Sequence, residues 1–171
     1  MTDSLESRLA AKGLKLPAAA APAANYVAYV TYGNILQTSG QLPMADGGLA
    51  VTGTLGESVS LEQGQEAARH CALNILAQAK AALDGDLTRI RRLLKLTVFV
   101  ASTPSFTDQH KVANGASDLL VELLGDIGKH SRSAVGVPAL PMGAAVEIEA
   151  VFEIASVSYT HLRAHETRED L

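Results

Sequence analysis

The pattern of apolar and polar positions predicts regular structure only after a weakly patterned beginning. Leucines lie loosely on one side of a helix drawn through Leu5 to Leu14, and an alanine- and proline-rich connector follows over residues 17–24. Apolar and polar side chains then alternate over Tyr26–Tyr32, and Ile35–Ser39 follows the turn-forming pair Gly33-Asn34. These two segments predict a β-hairpin.

Two amphipathic helices are predicted further along the chain. Ser60 and Gln63 form a capping box, and apolar positions then recur at helical spacing as far as Leu83. The pair Thr103-Pro104 predicts the start of a second helix, which stops near Gly125.

Four further segments predict strands: Leu49–Thr54, Leu93–Ala101, Arg132–Leu140 and Val146–Ile154. The predicted order is therefore β-β-β-α-β-α-β-β. This order favours an α+β domain in which two helices cover one face of a mixed sheet. Because Leu93–Ala101 is apolar on both sides, we expect the other face to be covered in a closed homo-oligomer.

The length of 171 residues corresponds to one domain. We expect an extension at residues 1–24, a single domain at residues 25–156, and a tail at residues 157–171. The tail lacks apolar periodicity and resembles translated cloning-vector sequence, so it is excluded from the fold. His161 and His165 within it could bind a metal only if helical, and no third ligand is apparent.

The charge balance excludes several classes of partner. With 14 Lys+Arg against 18 Asp+Glu, the net charge of −4 disfavours nucleic acids and anionic membranes. The uncharged stretch from Leu16 to Ala45 is interrupted by prolines and polar residues, so it does not predict a membrane span. Cys71 is the single cysteine and lies on the apolar side of the first long helix, which predicts a buried thiol in a reducing, cytoplasmic protein.

Arg132 and Glu147 are the strongest candidates for chemistry. Arg132 opens a strand, and its guanidinium suits a carboxylate or phosphate, although an ion pair with a nearby glutamate is the alternative. Glu147 could accept a proton from water if burial raises its pKa, or it could be simply solvated. His110 and His130 are interpreted as surface residues.

Four segments together resemble the YjgF/RidA family of reactive-intermediate deaminases, formerly called endoribonuclease L-PSP. They are Ser39–Pro43, Lys95–Val100, Arg132–Val135 and Val146–Ala150. The resemblance implies a chorismate-mutase-like α+β fold and a homotrimer with sites in the clefts between subunits. It also implies hydrolysis of small carboxylate-bearing enamines and imines, such as 2-aminoacrylate, to 2-keto acids and ammonia, without a metal or organic cofactor.

The resemblance assigns roles to particular residues. Arg132 matches the arginine that clamps the substrate carboxylate, and Glu147 matches the glutamate that helps to place the attacking water. Tyr26, Ser39 and Gly40 match residues that line the same pocket.

Departures from the family pattern indicate a divergent subgroup. Ala134 stands where typical members have a pocket cysteine, so it would contribute to the substrate site only through its backbone. Gly136 replaces a side chain that is often charged, and Gly128–Ser131 replaces a proline-containing approach to the arginine. The alternative function is therefore a non-catalytic trimeric module that binds a small keto acid or amino-acid-like metabolite. Ribonuclease activity finds little support in an acidic chain without paired catalytic histidines.

Overall fold

The apolar pattern folds into one mixed sheet with helices on one face, in a computed structural model that describes residues 4–156. The helices are α1 (Leu5–Ala11), α2 (Leu61–Ala82) and α3 (Gln109–Leu124). The strands are β1 (Tyr29–Tyr32), β2 (Ile35–Thr38), β3 (Met44–Ala45), β4 (Gly48–Leu49), β5 (Ile90–Ala101), β6 (Ser131–Val137) and β7 (Val146–Ile154). Short 3-10 turns lie at Leu87–Arg89, Gly125–Gly128 and Pro141–Gly143.

Strand β7 lies at the centre of the sheet, and its side chains alternate strictly between the core and the opposite face. The strand order is β1-β2-β7-β5-β6. All neighbours are antiparallel except β5 and β6, which are parallel and joined through α3. The predicted α+β fold, with two long helices over one face of a mixed sheet, is confirmed.

Helices α2 and α3 pack against each other over the sheet. The predicted capping box starts α2: Gln63 N–H donates to Ser60 Oγ at 3.1 Å, and Ser60 N–H donates to Gln63 Oε1 at 2.9 Å. At the helix crossing, a Cβ on Gly115 would lie only 2.2 Å from the backbone oxygen of Gln65. Glycine therefore permits the close approach of the two helices. No helix within residues 4–156 is both long and apolar enough to cross a membrane.

Several predicted boundaries were wrong. The segment predicted as a third sheet strand contributes only to the separate β3–β4 ribbon and to a single bridge from Thr52 to Ala144. Helix α3 starts at Gln109 instead of Thr103-Pro104, because the backbone N–H of Thr103 donates to Leu55 O at 3.0 Å in an extended connection. Strand β6 ends at Val137, since the following proline has no N–H to donate to a sheet.

The prediction that Leu93–Ala101 is apolar on both sides was wrong at Leu93. The register of β5 against β7 shifts between Leu93 and Lys95, and this irregularity turns Leu93 into the core. The face away from the helices presents Lys95, Thr97 and Phe99, all partly exposed. Exposed Val30 of β1 and Val135 of β6 add apolar area to this face, and the expectation that an oligomer covers it stays a prediction.

The chain before β1 packs on the helices. Leu9 of α1 is 5% exposed within the core, and Arg8 Nη1 donates to Leu123 O at 3.2 Å near the end of α3. In the connector, Ala20 O accepts a 2.8 Å hydrogen bond from Gln78 of α2. The division into extension, domain and tail stays a prediction, and the tail with its two histidines lies outside the described residues.

Candidate functional site

A cavity of about 530 Å³ opens beside the ends of β2 and β7, away from the helices. The predicted site residues Tyr26, Ser39, Gly40 and Glu147 all line it. The remaining lining residues are Val27, Tyr29, Val30, Gln37, Thr38 and Glu149. Tyr26 and Tyr29 contribute apolar area to the cavity lining. Glu147 and Glu149 of β7 contribute carboxylates that can exchange protons.

The carboxylate of Glu147 lies directly over the backbone of Gly40. A Cβ at residue 40 would lie 2.0 Å from Glu147 Oε1, so only glycine leaves room for this side-chain position. Burial raises the pKa of Glu147 because it penalises the charged form, and the negative charge of Glu149 raises the pKa further. A carboxyl whose pKa is raised toward neutrality is suited to accept and return a proton.

Ser39 holds the segment before β1 against the end of β2. Its hydroxyl donates to Val27 O at 2.6 Å, and its backbone N–H donates to Ala28 O at 2.8 Å. These bonds keep Tyr26 and Val27 at the cavity wall. The Ser39 proton is thus engaged within the protein, while the oxygen lone pairs can still accept a hydrogen bond from a ligand.

Arg132 and Ala134 lie elsewhere in the same chain. Both are on edge strand β6, which is separated from β7 by β5. Arg132 pairs with Leu96, which is fully buried under the helices, whereas Glu147 pairs with Phe99 on the opposite face. One copy of the chain therefore does not bring Arg132 to the cavity that Glu147 lines.

Neutral groups of α3 hold the Arg132 guanidinium by hydrogen bonds. Nη1 donates to Asn114 Oδ1 at 2.9 Å and to Ser117 Oγ at 3.0 Å, and Nη2 donates to His110 O at 3.1 Å. Within residues 4–156, no carboxylate oxygen lies within 4.0 Å of Arg132. The alternative of an ordinary ion pair with a glutamate is therefore not realised in this part of the chain. These acceptors orient the guanidinium and bring no negative charge to it.

His130 belongs to this arrangement, although the sequence was interpreted as placing it on the surface. Its Nδ1 lies 2.6 Å from Gly128 O, and its Nε2 lies 2.9 Å from Ser117 Oγ. Burial lowers the pKa of His130, and the nearby charge of Arg132 lowers it further, although the bond to Gly128 opposes the shift. Only its position two residues before Arg132 could have indicated the contact.

Cys71 is buried as predicted, and its thiol lies 3.6 Å from Val146 O. Burial raises the pKa of this thiol, and the charge of Glu147 raises it further, so Cys71 is a poor nucleophile. Among the residues that the structure describes, no group of three His, Cys, Asp or Glu side chains could hold a metal ion.

Comparison with known proteins assigns this architecture to a family. Residues 6–154 match the family described as "YjgF/chorismate_mutase-like, putative endoribonuclease". Protein TCP17 of Trypanosoma cruzi is 57% identical over 143 residues, which cover 83% of this chain and 89% of that protein.

Solved structures agree with the family match. The crystal structure of Atu1372 from Agrobacterium tumefaciens, a protein of unknown function, is 53% identical, with a TM-score of 0.83 over 88% of this chain and 92% of that one. Escherichia coli TdcF, solved with bound serine, shares the fold at 24% identity and a TM-score of 0.58, over 80% of this chain and 94% of that one. The chain therefore belongs to the YjgF/chorismate mutase-like family.

Proposed function

We propose that this protein hydrolyses small enamine or imine intermediates that carry a carboxylate, such as 2-aminoacrylate, to 2-keto acids and ammonia. The observation that carries the proposal is the cavity in which Glu147, with its raised pKa, lies beside Tyr26, Ser39 and Gly40. A small organic acid fits a cavity of this volume, whereas the acidic chain offers little attraction to RNA.

The substrate carboxylate would be bound by Arg132 of a second copy of the chain. Support comes from the Arg132 guanidinium, which within residues 4–156 donates hydrogen bonds to neutral groups only. It lies on the far side of the sheet from the cavity. A homotrimer with sites in its clefts, which the family resemblance implies, would bring the two halves together. TdcF, which shares this fold, was solved with bound serine, and this supports a site for a small molecule that carries a carboxylate.

The chemistry needs few groups because an imine carbon is already electrophilic. Glu147 accepts a proton from water as the water oxygen bonds to the imine carbon, and it passes this proton to the imine nitrogen as the C=N π bond breaks. In the resulting carbinolamine, Glu147 takes the hydroxyl proton and gives it to the amino nitrogen. The C–N bond then breaks as the C=O bond forms, so that ammonia leaves and the 2-keto acid remains. Arg132 contributes orientation by fixing the carboxylate next to the reacting carbon.

The proposal is tested with freshly generated 2-aminoacrylate and purified protein. We expect the protein to accelerate loss of the imine over buffer, and Arg132→Ala to abolish this acceleration while the oligomer stays intact. Arg91→Ala, which removes an exposed arginine of β5, is the matched control and should retain activity. No acceleration by the intact protein would exclude the deaminase.

A non-catalytic binding module is the second candidate function. It is favoured by Ala134 in place of the family cysteine and by the Ser39 hydroxyl, whose proton is already engaged by Val27 O. A module of this kind would raise its melting temperature with 2-ketobutyrate but would not accelerate imine loss. Acceleration that depends on Arg132 would exclude it.

A further inference from the structure

We propose that Ser117 and His130 are positioning residues, which hold the Arg132 guanidinium in the orientation that binds the substrate carboxylate. This inference rests on the proposed function, since it assigns Arg132 to the carboxylate. It concerns two side chains that do not line the cavity themselves and act only through Arg132.

The hydrogen bonds around His130 fix its tautomer. Gly128 O can only accept a hydrogen bond, so His130 Nδ1, at 2.6 Å, must carry the proton. In the neutral ring, Nε2 then accepts the hydroxyl proton of Ser117 at 2.9 Å. The Ser117 oxygen is left with lone pairs to accept from Arg132 Nη1 at 3.0 Å. The three contacts form one directed chain from the guanidinium to the Gly128 carbonyl.

Protonation of His130 would reverse one hydrogen bond in this series, the bond between Ser117 and His130. Nε2 would become a donor, and Ser117 Oγ would then receive hydrogen bonds from two cations while its own proton lost its acceptor. The surroundings oppose this state, because the ring is half-buried and the Arg132 guanidinium lies nearby. Arg92 of β5 and Lys129 line the same surface cavity as the ring, and Asp126 offsets the charge of Lys129 at 2.8 Å. From α3 the ring meets the neutral Ser117, and in residues 4–156 no carboxylate lies within 4.0 Å of it.

Ser117 thus connects the protonation state of His130 to the orientation of Arg132. We therefore expect Arg132 to be held by a pH-sensitive contact that lowers affinity for the carboxylate when His130 is protonated.

The test measures the affinity for 2-ketobutyrate by calorimetry between pH 8 and pH 5. At pH 8, Ser117→Ala should weaken binding about tenfold, because a hydrogen bond to a charged group is lost, and Ser117→Thr should restore it. His130→Gln keeps an acceptor for the hydroxyl but cannot titrate in this range. As the pH is lowered, the wild type should lose affinity for 2-ketobutyrate more than His130→Gln does. The ratio of the wild-type association constant to that of His130→Gln should therefore fall. The ratio is used because Glu147 titrates in both proteins.

His70→Gln provides the matched control, since His70 lies on α2 and pairs there with Glu66 at 3.3 Å. It should follow the wild-type profile throughout. If Ser117→Ala binds as the wild type does and the His130→Gln profile parallels it, this inference is wrong even when Arg132→Ala loses binding. If Arg132→Ala itself binds 2-ketobutyrate normally, the proposed function fails instead.

Discussion

At the scale of single residues, the position of the Glu147 carboxylate decides what the cavity can do. Its pKa is raised by burial and by the charge of Glu149. The charged carboxylate is therefore less stable in the folded protein than it would be in water. The group is thus kept as a base at some cost to stability, which is a common compromise in active sites.

Glu147→Gln should therefore lower turnover and raise stability together. Loss of the base should reduce imine hydrolysis by about 10²-fold or more. The melting temperature at pH 8 should rise because a poorly solvated charge has been removed. This gain should disappear as the pH falls through the raised pKa, since the wild-type side chain then takes up a proton and loses its charge in the folded state. Melting curves from pH 8 to pH 4 check the sign, and a variant less stable than the wild type at pH 8 would contradict it.

Gly40→Ala should impair the reaction with little loss of stability. The added Cβ would occupy the space of Glu147 Oε1, and the flexible side chain would swing away from its working position. A displacement of about 1 Å can reduce turnover by about 10²-fold. Gly48→Ala, whose Cβ would meet nothing within 4 Å, is the control. Steady-state kinetics of the two variants would differ strongly, and equal activities would show that the Glu147 position is unimportant.

At the scale of secondary-structure elements, the crossing of α2 and α3 depends on Gly115. Alanine is the better helix former by about 1 kcal/mol, yet its Cβ at this position would lie against the Gln65 backbone, which cannot move alone. We expect Gly115→Ala to lower the free energy of unfolding by about 1–3 kcal/mol through overpacking. Gly64→Ala should cost less, because its Cβ would meet only the side chains of Leu55 and Val112. Urea unfolding at one protein concentration measures both, and a stabilised Gly115→Ala would contradict the prediction.

Elements whose pattern matches their final environment could be predicted from the sequence. Strand β7 has the predicted bounds Val146–Ile154, because strict alternation specifies both strand and buried face. The capping box likewise marked the beginning of α2. The start of α3 could not be predicted, because the pair Thr103-Pro104 has the local sequence of a helix start. The Thr103 N–H instead donates a hydrogen bond to Leu55 O, a residue distant in sequence. The irregularity near Leu93 also depends on pairing with β7 and leaves no local signal.

The candidate site was predictable to a similar extent. The family resemblance pointed to Tyr26, Ser39, Gly40 and Glu147, and these residues do share a cavity. The neutral ligands of Arg132 could not be predicted, because α3 supplies side chains that only the packed fold brings to β6. The same reason explains why His130 was interpreted as a surface residue.

At the scale of the whole molecule, the proposed site is divided between copies. Arg132 and Glu147 lie on opposite faces of one sheet, so the division follows from topology and would persist through any local rearrangement of side chains. A cyclic assembly, in which each copy offers Arg132 to one neighbour and its cavity to the other, would repeat one contact around the ring.

Mixing two inactive variants tests this division most directly. Arg132→Ala and Glu147→Gln are purified separately, unfolded, mixed in equal amounts and refolded, and imine hydrolysis is then measured. Any mixed trimer would contain one cleft with both residues intact, so random mixing should restore about a quarter of the wild-type activity. Each variant refolded alone should stay inactive. A mixture as inactive as its components would contradict the proposal that two copies share the site.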